Sequence, residues 1–267
     1  MCQLDATPPS PAQVRAARRA YMGSIAYVDA QFGRLRRALA AVGRDRDAVV
    51  VLLSDHGEML GERGLWYKMN FFEPSIRVPL VVHAPGRFRP RRAPEAVSLA
   101  DLAPTLLGLA GLPPMPGRID GRSLLPHLEG RGGHDEVVAE YTAEGTLAPI
   151  VMIRRGRWKF VHSPADPDQL FDLAADPAEL VNLAPDPEHA AIVDALTREV
   201  AARWDLPALD REVRESQRRR RFVFAAGKAG VRRAAWDFQP FADASERYIR
   251  SHMPLDALEA SARFPRP

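Results

Sequence analysis

Apolar residues recur at threes and fours along the first part of the chain: Val14, Ala17, Tyr21, Ile25, Val28, Phe32, Leu35, Leu39 and Val42. This spacing predicts a helix over 12–42, entered after Pro9 and Pro11, with one buried stripe and its arginines turned to water. Residues 49–53 (VVVLL) are purely aliphatic and predict a buried strand or a buried helix segment, and 77–83 (RVPLVVH) predicts a second buried strand, ended by Pro85 and Gly86. Ser98 or Asp101 can cap a helix running to Leu109, because both side chains accept backbone hydrogen bonds at helix starts, and Gly111 with Pro113, Pro114 and Pro116 closes it. From Glu136 the pattern shortens to strand-like pieces at 137–141, 150–155 and 158–162, spaced by turn residues as in a small antiparallel sheet. A helix over 187–204 is expected to pack on that sheet, and a basic helix over 211–222 follows. The sequence reads as α/β with no internal repeat.

Composition narrows the classes. With 267 residues, 46% hydrophobic and 27% charged, the chain has the makings of a folded globular protein. The net charge of +3 comes with arginines scattered along the chain, so a nucleic-acid partner is not expected; Arg218 to Arg221, beside Glu212 and Glu215, read as a solvated helix face. A single cysteine excludes an internal disulfide. The start, MCQLDATPPSP, has no apolar signal-like run, and no apolar span approaches twenty residues, so a cytoplasmic protein without a membrane partner is the expectation.

The candidate chemistry follows the first aliphatic run. Residues 54–68 read SDHGEMLGERGLWYK, which places Asp55 and His56 where a strand ends, the edge at which open α/β sheets bind ligands. Asp supplies a hard oxygen and His a neutral imidazole nitrogen, a set suited to a divalent metal such as Mg, Mn or Ca. Twelve residues beyond His56, Lys68 offers a point cation to an oxyanion. An Asp-His pair at a strand end is also an ordinary turn with a helix-type cap, and both readings stand on the pair alone.

The surrounding letters resemble a family. SDHGEMLGERGLWYKMNFFE, followed by RVPLVVHAPG, DLAPTLLGLAG at 101–111, GRIDGRSLLPHL at 117–128 and QLFDLAADPAELVNLA at 169–184, looks like the C-terminal half of the sulfatase branch of the alkaline phosphatase superfamily. The segment RRAYMGSIAYVD at 18–29 fits the helix that leads into the metal strand there. The wording around Asp55 and the terminal WDFQPF (236–241) and ARFP (262–265) resemble choline-sulfatases most closely. The resemblance implies the C-terminal part of the sulfatase sandwich over 1–130, a small antiparallel sheet with a helix over 131–206, and a choline-sulfatase-type tail over 207–267.

By the same resemblance, Asp55 and His56 match a metal pair and Lys68 the lysine that contacts the sulfate or leaving oxygen. The family's nucleophile, formylglycine, arises from a cysteine in a C-x-P-S-R block; Cys2 stands in CQLDA, which does not match, so the nucleophile is expected only in the absent N-terminal half. The chain alone is therefore expected to be inactive. For choline O-sulfate, whose quaternary ammonium wants carboxylates and aromatic faces, Glu144 and Asp256 are the candidate substrate-binding residues; Trp66 and Tyr67 are further aromatic candidates. Trp236, Phe238 and Phe241 are expected as interface anchors of a homo-oligomer assembled through the tail. An arylsulfatase fragment, a phosphonate monoester hydrolase fragment and a non-catalytic assembly remnant are the alternatives.

Overall fold

The computed structural model describes residues 8–143 and 145–229, with side chains as far as residue 227. The chain divides into two compact units at Asp210/Arg211.

In the first unit, helix α1 spans Pro11–Ala41 and opens with a reciprocal cap: the Ser10 hydroxyl accepts from the Gln13 amide while Gln13 Oε1 accepts from the Ser10 amide at 2.7 Å. Strand β1 (Val50–Leu53) leads into the acidic loop, where the two-residue strands β2 (Met59–Leu60) and β3 (Trp66–Tyr67) pair as a small ribbon. The four-residue helix α2 (Glu73–Ile76) then turns the chain into β4 (Leu80–His83). β4 pairs antiparallel with β1, Val50 opposite His83 and Leu53 opposite Leu80. Ser98 caps a single 3-10 turn that runs into α3 (Leu102–Leu109), and α4 (Leu125–Glu129) ends at Gly130 in the left-handed region, φ 83°.

Asp101 joins these last segments. Its buried carboxylate accepts from the Ser98 amide at 2.8 Å, the Arg122 amide at 2.7 Å and His134 Nε2 at 2.9 Å.

Strands β5 (Glu136–Tyr141), β6 (Ile150–Arg155), β7 (Trp158–Ser163) and β8 (Asp166–Asp172) form an antiparallel meander with a bulge between Val161 and Ser163. Alternation sends its side chains to two faces. Val151, Ile153, Phe160 and Leu170 share the face covered by helix α5 (Ala190–Arg203), whose Leu196 and Val200, one turn apart, complete the core with Leu206. Met152, Lys159 and Phe171, on the opposite face, are buried as well, so the sheet is a slab covered on both sides. Helix α6 spans Leu206–Ala229 and crosses the division; in the second unit it presents Arg218 to Arg221 to solvent, the solvated face expected from the sequence.

Burial differs from expectation in the first helix and in the strands β1 and β4. The stripe of α1 is not buried: no residue of this helix is, and Val28 is 59% exposed. Val14, Ala17, Tyr21, Phe32 and Leu39 are half-buried, whereas Ile25, Val28 and Leu35 face water. Strands β1 and β4 likewise expose Leu52, Leu53 and Val81. Periodicity marks which face of a helix is apolar; it does not supply the partner that covers it.

Candidate active site

The site is built where β1 ends. Ser54 holds the turn, its hydroxyl donating to the His56 carbonyl at 2.8 Å. The His56 amide donates to Asp55 Oδ1 at 3.0 Å, and this bond, chiefly, holds the Asp55 carboxyl below its ordinary range, so an ionised carboxylate stands in solvent with its side chain 84% exposed. His56 Nδ1 lies 2.8 Å from the Gly57 carbonyl. A carbonyl only accepts, so Nδ1 carries a proton, and the tautomer this selects leaves Nε2, 3.5 Å from Asp55 Oδ2, as the nitrogen able to present a lone pair. A carbonyl that orients a histidine through one nitrogen, leaving the other beside a carboxylate oxygen, is the kind of second contact that suits such a histidine to hold a metal. The pair fits part of a divalent cation's ligand set. Among the described residues no group of three or more His, Cys, Asp or Glu converges on such a position.

Lys68 is exposed and forms no hydrogen bond or ion pair through its ammonium among the described residues. Its backbone is fixed: the Ser75 hydroxyl donates to the Lys68 carbonyl at 2.6 Å, and the Asn70 amide donates to the same oxygen at 2.9 Å. Two carbonyls of α2 hold the other end of the loop, the Gly57 amide donating to Ser75 O and the Glu58 amide to Pro74 O, both at 2.7 Å. The approach is close enough that a Cβ on Gly57 would lie 2.1 Å from Pro74 O. The short α2 therefore gathers the backbone just after Asp55-His56, at Gly57 and Glu58, and that of Lys68, twelve positions beyond His56. Arg18 of α1 adds a brace, donating to Leu60 O at 2.9 Å and to Glu62 Oε1 at 3.0 Å, while Glu62 Oε2 accepts from the Leu60 amide.

Backbone strain concentrates here. Among the described residues, three other than glycine have positive φ: Arg63 at 56°, Tyr67 at 71° and Glu179 at 56°. Tyr67 directly precedes Lys68; Arg63 lies in the same loop and donates to the Ala178 carbonyl at 3.2 Å; Glu179 accepts from the Glu73 amide at 2.7 Å. Such conformations cost on the order of 1–3 kcal/mol each and persist where surrounding contacts over-determine them, as they do at functional sites.

Trp66 packs over Gly61 beside Val14, and Tyr67 is half exposed. Glu144, Asp256, Trp236, Phe238, Phe241 and Cys2 lie outside the described residues. Sequence reasoning missed Ser75 and Glu73, whose roles emerge only when α2 folds against the loop; the FFEPS wording at 71–75 was the available signal.

The family model for Sulfatase matches residues 4–112, that for the N-sulphoglucosamine sulphohydrolase C-terminal region matches 61–204, and that for the choline sulfatase enzyme C terminal matches 211–264. The chain belongs to the sulfatase family. Among its relatives, a choline-sulfatase of Rhizobium meliloti (strain 1021) is 47% identical over 258 residues, covering 95% of this chain and 50% of that protein. Arylsulfatase K of Rattus norvegicus is 33% identical over 61% of this chain and 31% of its own length. The phosphonate monoester hydrolase of Agrobacterium radiobacter has a similar structure, with TM-score 0.63 and 34% identity over 74% of this chain and 42% of that one. The chain thus spans no more than half the length of these relatives. Among the described residues, no helix is long and apolar enough to cross a membrane.

Proposed function

We propose that this chain supplies the C-terminal half of a choline-sulfatase, which hydrolyses choline O-sulfate to choline and sulfate when joined to the half that precedes it in such enzymes. The observation that carries the reading is the choline-sulfatase match extending through the tail at 211–264, beyond the part shared with sulfatases at large.

In this reading Asp55 and His56 hold a divalent cation, Ca, Mg or Mn, through the carboxylate and the Nε2 lone pair. That cation would offset the charge on the sulfate oxygens as the ester bond breaks. Lys68 offers its ammonium to a sulfate or leaving oxygen, from a backbone fixed by the two hydrogen bonds to its carbonyl. Glu144 and Asp256 are the carboxylates assigned to the quaternary ammonium, which has no N–H to donate and is recognised by charge and aromatic faces. The tail assembles a homo-oligomer through Trp236, Phe238 and Phe241, and the three-part division at 130 and 206 follows from the same reading, as does a cytoplasmic location. The sequence contains no C-x-P-S-R block, so formylglycine belongs to the preceding half and the chain alone is inactive.

The test is release of sulfate from choline O-sulfate, with an aryl sulfate and a phosphonate monoester in parallel, in the presence of Ca, Mg or Mn. This chain alone is compared with the chain joined to the preceding half. Hydrolysis of the choline ester by the joined form alone is expected; preference for either of the other substrates overturns the assignment of substrate, and activity of the isolated chain overturns the division of the site.

A further inference from the structure

Lys159 is wholly buried, 0% exposed, on the face of the four-stranded sheet that looks away from α5. Its ammonium lies 3.0 Å from Glu73 Oε1 and 2.7 Å from Glu179 Oε1; the first contact is a hydrogen-bonded ion pair, the second an ion pair without hydrogen-bond alignment. Glu179 is itself 1% exposed, and its other oxygen accepts the Glu73 amide. Burying an ammonium is costly unless it is paired, and retaining one with two carboxylates is weak evidence for stability. What the group does fix is position. Glu73 is the first residue of α2, and α2 provides the carbonyls that hold Gly57 and Glu58 and the hydroxyl that holds Lys68.

Two further contacts run in parallel: Phe72 meets Phe171 of β8 with ring centroids 6.1 Å apart, and the Arg63 guanidinium stacks 4.3 Å from the Phe72 ring while donating to Ala178 O. The catalytic loop is thus pinned to the sheet by segments 86 and 106 residues away in sequence.

We propose that Lys159, Glu73 and Glu179 are positioning residues, a buried charge triad by which the antiparallel sheet sets α2 and, through α2, the spacing between the Asp55-His56 pair and Lys68. The proposal rests on the reading of those three as the working groups of the site. None of the triad touches substrate; it acts through the backbone that α2 holds.

The test uses amide hydrogen exchange on the chain itself, which needs no turnover and so separates this proposal from the assignment of activity. In Lys159→Met the two carboxylates lose their cation, and the Gly57 and Glu58 amides are expected to exchange on the order of tenfold or more faster, while Phe160 and Leu170 in the sheet keep their protection. Lys159→Arg, which restores the charge, should recover part of the protection. Unchanged exchange at Gly57 and Glu58, or acceleration spread equally over the sheet, would overturn the proposal. Should Lys159→Met not fold, Glu179→Gln is read by the same criteria, because it removes one charge at constant volume. In the joined enzyme Glu179→Gln should lower kcat with little change in KM, the pattern of misplaced groups rather than lost binding.

Discussion

The four-stranded sheet and the α1–β1–β4 region use the same kinds of residue to opposite ends. In the sheet, Val151, Ile153, Phe160 and Leu170 disappear beneath Leu196 and Val200 of a single helix within the same unit. In the first region, Ile25, Val28 and Leu35 line a 31-residue helix with no fully buried residue, and Leu52 of β1 and Val81 of β4 are exposed as well. One region completes its own core; the other carries an apolar face that the described residues leave uncovered. That face lies within the stretch matching the Sulfatase family, in a chain half as long as its choline-sulfatase relative. Between the two sits the candidate site, its loop issuing from the uncovered strand β1 and braced from the covered sheet by Glu73 and Lys159.

The largest expected effect tests the self-contained core. Phe160→Ala removes a wholly buried ring, and large-to-small changes at such positions cost ~3–5 kcal/mol; chemical denaturation of the chain should show a loss of that size. A loss below about 1 kcal/mol would mean that the sheet does not carry the stability assigned to it here.

Next in size is the seam. In the joined enzyme Lys68→Ala should reduce kcat/KM on the order of 100-fold, as expected for a charge aimed at a developing oxyanion, while the denaturation midpoint stays near that of the parent, since its side chain is exposed and unpaired among the described residues.

Smaller again is the acid response of the sheet's edge. Partial burial raises Glu136, and the Arg155 and Arg203 guanidiniums more than offset that, while Arg155 foremost lowers Glu199; both carboxyls end below their ordinary 4.5. A depressed carboxyl contributes stability that is present above the unfolded value and lost as pH falls through the folded one, so this part of the stability should be level above about pH 5.5 and fall below about pH 4.5. The arginines are more than a third exposed, so screening limits the network to about 1 kcal/mol. Glu136→Gln with Glu199→Gln should flatten that acid limb, and an unaltered pH profile would remove the network from the account.

At the bottom of the scale, Val28→Ala on the open face should change stability by less than ~0.5 kcal/mol in this chain. A cost of 2 kcal/mol or more, of the order seen at buried sites, would show that α1 is covered after all.

Much of the architecture was legible. Periodicity places the first helix at 12–42 against Pro11–Ala41, and the strand at 150–155 coincides with Ile150–Arg155, because local pattern and tertiary burial agree there. Strand β4 begins three residues later than the 77–83 run because Arg77 still closes the turn of α2, donating to the Glu73 carbonyl. Asp55, His56 and Lys68 stood out because their chemistry is written in adjacent letters. The supporting parts did not, since Lys159 reads as an ordinary strand lysine and Glu179 as one acid of a turn until the fold brings them against Glu73. A buried ion pair has no local signature: its partners are chosen by the topology.

Gly57 sets a limit on how this loop can be altered. With Pro74 O standing where a methyl carbon would go, the turn just after Asp55 and His56 lies main chain against main chain. Exposed side chains such as Leu65 can vary in charge and size above that contact; any residue larger than glycine at 57 acts as a wedge driven between two peptides, opening the loop at its root and moving every group it carries at once.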